Sequence, residues 1–240
     1  MSISKTNKIV IAVVFSIAMA FLESAVVVYL RYLLYGGGFD FPLSDMPGVL
    51  IVTELGRELA TLLMLFAVGY MLATTKLSRL AWFMFCFAIW DIFYYVFLYV
   101  LLGWPKSIFD WDILFLLPVA WYGPVITPCL VALSMIVLAL IIVNYEYKGA
   151  IRRLRKREWG TMLIGCGIIL YTFMAPFVQH AGGVGVQTWQ WPDGKQLIAA
   201  GLTFIPISYN YILYLAGLSA IWAGIFVYWR RVHNANKVMF

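Results

Sequence analysis

The chain has 240 residues, of which 64% are hydrophobic and only 12% are charged, and its mean hydropathy is +0.90. An average soluble domain is about 25% charged, and a soluble protein of this size has too small an interior to bury so much apolar surface. The net charge is +6. The basic residues behind it are distributed along the chain as in membrane proteins, and not as on a nucleic-acid-binding surface. We therefore predict an integral membrane protein with no nucleic-acid partner.

Six apolar segments are long enough to cross the hydrocarbon core of a bilayer, which takes about 20 residues of α-helix. They predict an all-α integral membrane protein, a six-helix transmembrane bundle in which residues 1–240 form a single domain. The first segment also has a signal-peptide-like pattern, but its apolar run continues well past Ala20, which favours a spanning helix. The predicted spans are Ile9–Leu34, Val49–Thr74, Leu80–Leu102, Tyr122–Tyr145, Thr161–Val178 and Ile207–Trp229.

The distribution of lysine and arginine predicts that both termini are cytoplasmic. Segments 1–8, 75–79, 146–158 and 230–240 hold 13 of the 17 basic residues, and basic residues concentrate in cytoplasmic loops. We expect a multi-pass protein of the cell (plasma or inner) membrane, with the lipid bilayer as its first partner. The basic run Arg152–Arg157 is interpreted as an orientation signal and as a site for anionic lipid headgroups.

Two shorter apolar segments lie between the spans. Residues 113–120 are too few to cross a bilayer and predict a re-entrant or interfacial segment. The run Leu197–Ile205 stops at Pro206, which predicts a short helix against the outer surface, followed by a kink. Rows of small residues predict close-packed faces on the first and last spans. These rows are Ala12, Ser16, Ala20 and Ser24, and Ala216, Ala220 and Gly224.

Ionisable side chains within the spans are the most informative feature for function, because an ionised group at the bilayer centre costs about 2.5–3.5 kcal/mol. All of them lie in the first three spans. The predicted site consists of Glu23, Arg31, Glu54, Arg57, Glu58 and Asp91. From the rise of an α-helix, we expect Glu23, Glu58 and Asp91 at a similar depth. Asp110 and Asp112 are a possible outer rim of the same site.

Four carboxylates and two guanidinium groups give the six residues a formal charge of −2, which is too costly to persist uncompensated in a low dielectric. The leading hypothesis is a protein that binds or translocates a cation, proton or small solute through this site. One alternative is an accessory subunit of a larger complex, with other membrane subunits as partners. Further alternatives are a metal-dependent enzyme acting on a lipid-linked substrate and a purely structural set of ion pairs.

The sequence predicts no cofactor, and its motifs favour a non-catalytic protein. His180 and His233 lie just outside apolar runs and not at helix centres, which disfavours a haem. The three cysteines have no paired spacing, so neither a disulfide framework nor a thiolate metal site is indicated. A hard divalent cation is the open alternative, and its expected ligands are Glu23, Glu58 and Asp91.

Overall fold

The structure is a computed structural model that describes residues 4–36, 38–116, 119–149, 153–186 and 194–237. Two strands form an antiparallel hairpin between the third and fourth helices of these ranges. The helices are α1 Lys5–Leu34, α2 Gly48–Leu72, α3 Lys76–Leu102, α4 Ile126–Tyr147, α5 Lys156–Gly183, α6 Gly194–Gly201 and α7 Tyr211–Lys237. The strands are β1 Trp111–Phe115 and β2 Trp121–Pro124.

Five of the described helices, α1, α3, α4, α5 and α7, are long and apolar enough to span a membrane. Large apolar side chains cover their outer faces, and Ile212 of α7, for example, is 86% exposed. Such a surface is stable against lipid tails but not against water, which fits a polytopic membrane protein. The prediction of six spans is met in part, because α2 is 25 residues long but is not among the five.

The all-α prediction is wrong between α3 and α4. The segment 113–120 is predicted from its sequence as a re-entrant or interfacial element, but its first residues, 113–115, belong to β1. The fourth predicted span begins too early, because Tyr122–Pro124 belong to β2. Aromatic and β-branched residues such as Trp111 and Ile113 favour strands. Cross-strand hydrogen bonds also satisfy the backbone of a segment too short to cross as a helix. The short helix predicted before Pro206 is confirmed as α6.

Polar contacts place the start of α1 and the end of α7 at the same end of the bundle. Lys5 Nζ donates to Asn144 Oδ1 of α4 at 2.9 Å, and the Tyr145 hydroxyl lies 3.3 Å from His233 Nδ1 of α7. We call this the basic end, because Lys5 and the arginines that flank α5 and α7 lie there. The hairpin follows the opposite end of α3. The chain therefore crosses the bundle an even number of times, and the cytoplasmic location of its termini stays a prediction.

Helix α3 occupies the centre of one part of the bundle, where it packs against α1, α2 and α4. The small-residue face predicted for the first span is confirmed, since Ala12, Ser16, Ala20 and Ser24 are all buried. Ser24 Oγ reaches across to the Tyr94 carbonyl oxygen of α3 at 3.1 Å. The apolar core continues along α3 and α4 through residues such as Trp82 and Ile142.

Glycines bring α5 and α7 into direct backbone contact. A Cβ atom added to Gly165 would lie 2.5 Å from the Gly217 carbonyl oxygen, and one added to Gly224 would lie 2.5 Å from Met162 Cγ. The row predicted for the last span is therefore correct at Gly224 and wrong at Ala216, which is exposed. Gly217 takes the interface position because a residue without a side chain allows the closest approach of two helices.

Candidate functional site

A cavity of about 420 Å³ lies between α1, α2, the hairpin and α6. Its volume is within the range of small-molecule binding sites. Most of its wall is apolar, and side chains such as Leu30, Leu55, Leu116 and Ile198 contribute to it. Its polar wall consists of Arg31, Glu54, Arg57, Glu58, Tyr94 and Asp112. The cavity thus combines a large apolar surface with a group of ionisable side chains.

Arg57 of α2 joins carboxylates from two helices. Its Nε donates to Glu54 Oε2 at 2.8 Å and its Nη2 lies 2.7 Å from the same oxygen, while its Nη1 contacts Glu23 Oε1 of α1. Thr61 Oγ1 donates to the other Glu23 oxygen at 3.0 Å. Because Glu23 and Glu54 are both buried, these charge-assisted bonds are strong. The guanidinium group of Arg57 is therefore already committed to the protein's own carboxylates.

Arg31 of α1 is held by the hairpin and by two aromatic rings. Its Nη2 lies 3.6 Å from Asp112 Oδ1 of β1. Its guanidinium carbon lies 3.8 Å from the centre of the Trp104 ring and 4.3 Å from that of Phe39. Attraction between a cation and aromatic faces adds to the ion pair. Arg31 is thus ion-paired with Asp112 and covered by two aromatic rings.

Asp112 is the most deeply buried carboxylate of the cavity wall, with 3% of its surface exposed. Its Oδ2 has no hydrogen-bond partner among the described residues. Burial raises the pKa of Asp112 to about 6, although the positive charge of Arg31 acts in the opposite direction. A buried carboxylate oxygen without a partner makes the charged form of the group costly.

Glu58 differs from the other carboxylates of the wall because no ion pair to it forms in the described part of the chain. Its Oε2 accepts one hydrogen bond, at 3.2 Å, from the backbone N–H of Leu116 in the hairpin segment. It is 8% exposed and lies one helical turn from Glu54 on the cavity side of α2. Among the described residues, Glu58 is thus close enough to Arg57 to interact electrostatically but forms no ion pair with it.

The structure brings five of the six predicted site residues together, either on the cavity wall or bonded to it. Asp91 is the exception, since it does not line the cavity. Asp112 takes its place, so the set around the cavity still has four carboxylates and two guanidinium groups. The formal charge of −2 is unchanged, and one of the negative charges belongs to Glu58.

The expected metal ligands Glu23, Glu58 and Asp91 do not converge. No three histidine, cysteine, aspartate or glutamate side chains in the described ranges come close enough to hold a metal ion. The two aspartates expected at the rim also separate. Asp110 Oδ2 accepts hydrogen bonds from the backbone N–H groups of Lys106 at 2.7 Å and Ser107 at 3.1 Å, so it closes a turn outside the cavity.

Sequence reasoning missed the hairpin as a wall of the cavity and Trp104 as a partner of Arg31. An aspartate inside the aromatic and branched run Trp111–Phe115 is the signal that pointed to a strand with one polar inward position. Tyr94 gave no such signal, because it stands in a helix that is aromatic on all sides. Of the predicted lipid-binding run Arg152–Arg157, Arg152 lies outside the described residues, and the rest flanks the start of α5.

Comparison with known proteins gives no relative from which a role can be transferred. No protein-family model matches the chain, and no curated protein and no solved structure matches it. The chemistry of the cavity therefore has to be argued from its own shape and charge.

Proposed function

We propose that this polytopic membrane protein binds a small positively charged solute in the cavity, with the carboxylate of Glu58 as its counter-ion. The observation that carries the proposal is the charge imbalance around one cavity. Both guanidinium groups are already paired, and Glu58 is not. A bound cation supplies the missing charge, whereas an ionised carboxylate alone in a low dielectric is strongly disfavoured.

The same contacts argue against an anionic solute. Arg57 donates to Glu54 and forms an ion pair with Glu23, and Arg31 is held by Asp112 and two rings. An anion would have to displace one of these carboxylates and would also face Glu58. Since like charges in a low dielectric repel strongly, a cation is the better electrostatic complement of this wall.

The position of the cavity indicates the side from which the solute enters. Leu34 and Tyr35, at the end of α1 remote from the basic end, line it together with the hairpin. With the basic end toward the cytoplasm, as the lysine and arginine distribution predicts, the cavity belongs to the external half of the protein. We propose that the solute is received from outside, as the first step of its binding or translocation.

Thermal unfolding of the purified chain in mild detergent tests this proposal. The probes are sodium, magnesium, methylammonium and hexylammonium chlorides. A ligand present at a concentration of about 100 times its Kd raises the free energy of unfolding by about 2.7 kcal/mol. We expect at least one probe to raise the midpoint of the wild type. Glu58→Gln should abolish the increase, because glutamine keeps an acceptor for the Leu116 N–H but loses the charge.

Asp110→Asn is the matched control, since that carboxylate lies in the turn outside the cavity and its removal should leave the increase intact. A panel in which no cation stabilises the wild type would overturn the proposal. An increase that persists in Glu58→Gln would do the same. If the isolated chain binds nothing but purifies with other membrane proteins at a fixed stoichiometry, the accessory-subunit hypothesis replaces it.

A further inference from the structure

We infer that the solute is an amphipathic amine, with one ammonium group against Glu58 and a compact apolar body against α6 and the hairpin, and not an inorganic cation. The inference rests on the proposed function, since it specifies the class of cation that the same cavity takes. It follows from three properties of the cavity: its size, its apolar wall and the acceptors on its polar wall.

The size of the cavity exceeds what a bare ion occupies. About 420 Å³ equals the liquid volume of about 14 water molecules. A hard inorganic cation is held by about six oxygen ligands on all sides, and the described residues offer no such group of side chains. The space instead matches a molecule that contacts the charged wall on one side only.

The wall opposite the charged residues is apolar and encloses unfilled space. Gly201 at the end of α6 is buried, yet a Cβ atom added to it would have no other atom within 4 Å. Leu197, Ile198 and Leu202 surround this glycine on the cavity wall, and Phe177 of α5 completes it. Apolar surface that faces an empty volume gains free energy when an apolar group covers it.

The polar wall offers the hydrogen-bond acceptors that an ammonium group needs. An –NH₃⁺ group has three donors and no acceptor. Glu58 has one oxygen that takes no hydrogen bond from the hairpin backbone. The Tyr94 hydroxyl lines the same wall. Glu58 comes from α2 and Tyr94 from α3, so two helices contribute acceptors to the same wall.

The first test is a chain-length series, measured by isothermal titration of the chain in detergent. The probes are methylammonium, butylammonium and hexylammonium chlorides. Hexanol and sodium hexanoate are the neutral and anionic controls of the same chain length, and they also measure partition into the detergent micelle. We expect the affinity to rise about fourfold per added methylene. Hexanol and hexanoate should bind at least about tenfold more weakly than hexylammonium, because neither carries the charge that Glu58 requires.

The second test fills the apolar part of the cavity. Gly201→Leu should weaken hexylammonium by at least about tenfold, while methylammonium, which does not reach α6, should change by less than about threefold. Gly182→Leu is the matched control, since Gly182 is exposed on α5 and its added Cβ also meets no atom within 4 Å. It should leave both affinities unchanged.

The outcomes separate this inference from the proposed function. Glu58-dependent binding of sodium or magnesium without any gain along the amine series overturns the inference and leaves the function standing. Absence of binding by every cation overturns both. Equal binding of hexanol and hexylammonium, or hexylammonium binding unaffected by Gly201→Leu, also overturns the inference. If Gly201→Leu does not fold, the chain-length series on the wild type still decides it.

Discussion

The helix pairs α5–α7 and α1–α2 are built in opposite ways. In α5–α7, Gly165 and Gly217 bring the backbones together, and the acidic and basic residues of both helices lie toward the helix ends. In α1–α2 the helices touch only over a short stretch, and buried ionisable side chains join them through Arg57. Where glycines close the gap between helices no space is left for a ligand, whereas helices held apart by long charged side chains leave a cavity between them.

The difference shows which interactions each part of the molecule depends on. In lipid there is no hydrophobic force between helices, so the close α5–α7 contact depends on van der Waals packing. The α1–α2 contact depends on ion pairs, which stabilise only while both partners are present. Charge substitutions should therefore act most strongly on α1–α2, and steric substitutions most strongly on α5–α7, whose ion pair between Arg231 and Glu158 lies at the basic end and not along the close contact.

The largest effect is expected for Arg57→Met. The substitution leaves Glu23 and Glu54 buried without their common cation, and loss of one partner of a buried ion pair costs about 3–5 kcal/mol. The free energy of unfolding in detergent measures this loss. Adding Glu23→Gln and Glu54→Gln in the same chain should recover much of it, because no charge is then left unpaired. A loss below about 1 kcal/mol for Arg57→Met would contradict the ion-pair account.

A smaller effect is expected for Gly165→Ala on α5. The new Cβ would lie 2.5 Å from a backbone oxygen of α7, and overpacking of this kind costs about 1–3 kcal/mol. Gly167→Ala is the control, because its Cβ would meet no atom within 4 Å. Thermal unfolding of the two variants compares them directly. Equal midpoints would show that α5 and α7 are not in close backbone contact.

At the basic end, Arg231→Lys should cost about 1 kcal/mol. Arg231 holds Glu158 with two bonds, Nε to Oε1 at 2.6 Å and Nη2 to Oε2 at 2.8 Å, and lysine cannot form this fork. The partial exposure of the arginine keeps the effect modest. Arg230→Lys, at an exposed neighbouring position, serves as the control in the same unfolding experiment. A larger loss at Arg230 than at Arg231 would be inconsistent with the pairing.

The remaining prediction concerns the pH dependence of stability that Asp112 confers. Because burial raises the pKa of Asp112 to about 6, its protonated form is favoured in the folded state. Its contribution to stability is complete below the ordinary aspartate pKa, near 4, and is lost as the pH rises through about 6. The stability difference between wild type and Asp112→Asn should therefore fall between pH 4 and pH 7. Parallel pH curves for the two proteins would refute this.

The helices and most of the site follow from the sequence because both depend on local composition. Apolar runs of about 20 residues form helices in lipid, and charged residues within them are few, so Glu54, Arg57 and Glu58 identify the site directly. Helix depth alone does not predict that Asp112, and not Asp91, lines the cavity. It depends on a hairpin whose pairing is a tertiary property, as does the shift of the α7 contact from Ala216 to Gly217.

The contacts of Lys5 and His233 with neighbouring residues of α4 have a consequence for how the protein can be handled. We therefore expect a reporter domain joined ahead of α1 and another joined after α7 to lie on the same side of the membrane and close to each other. Two halves of a split fluorescent protein attached at these positions should therefore reassemble on a single molecule. A protease added to sealed vesicles should remove both tags or neither.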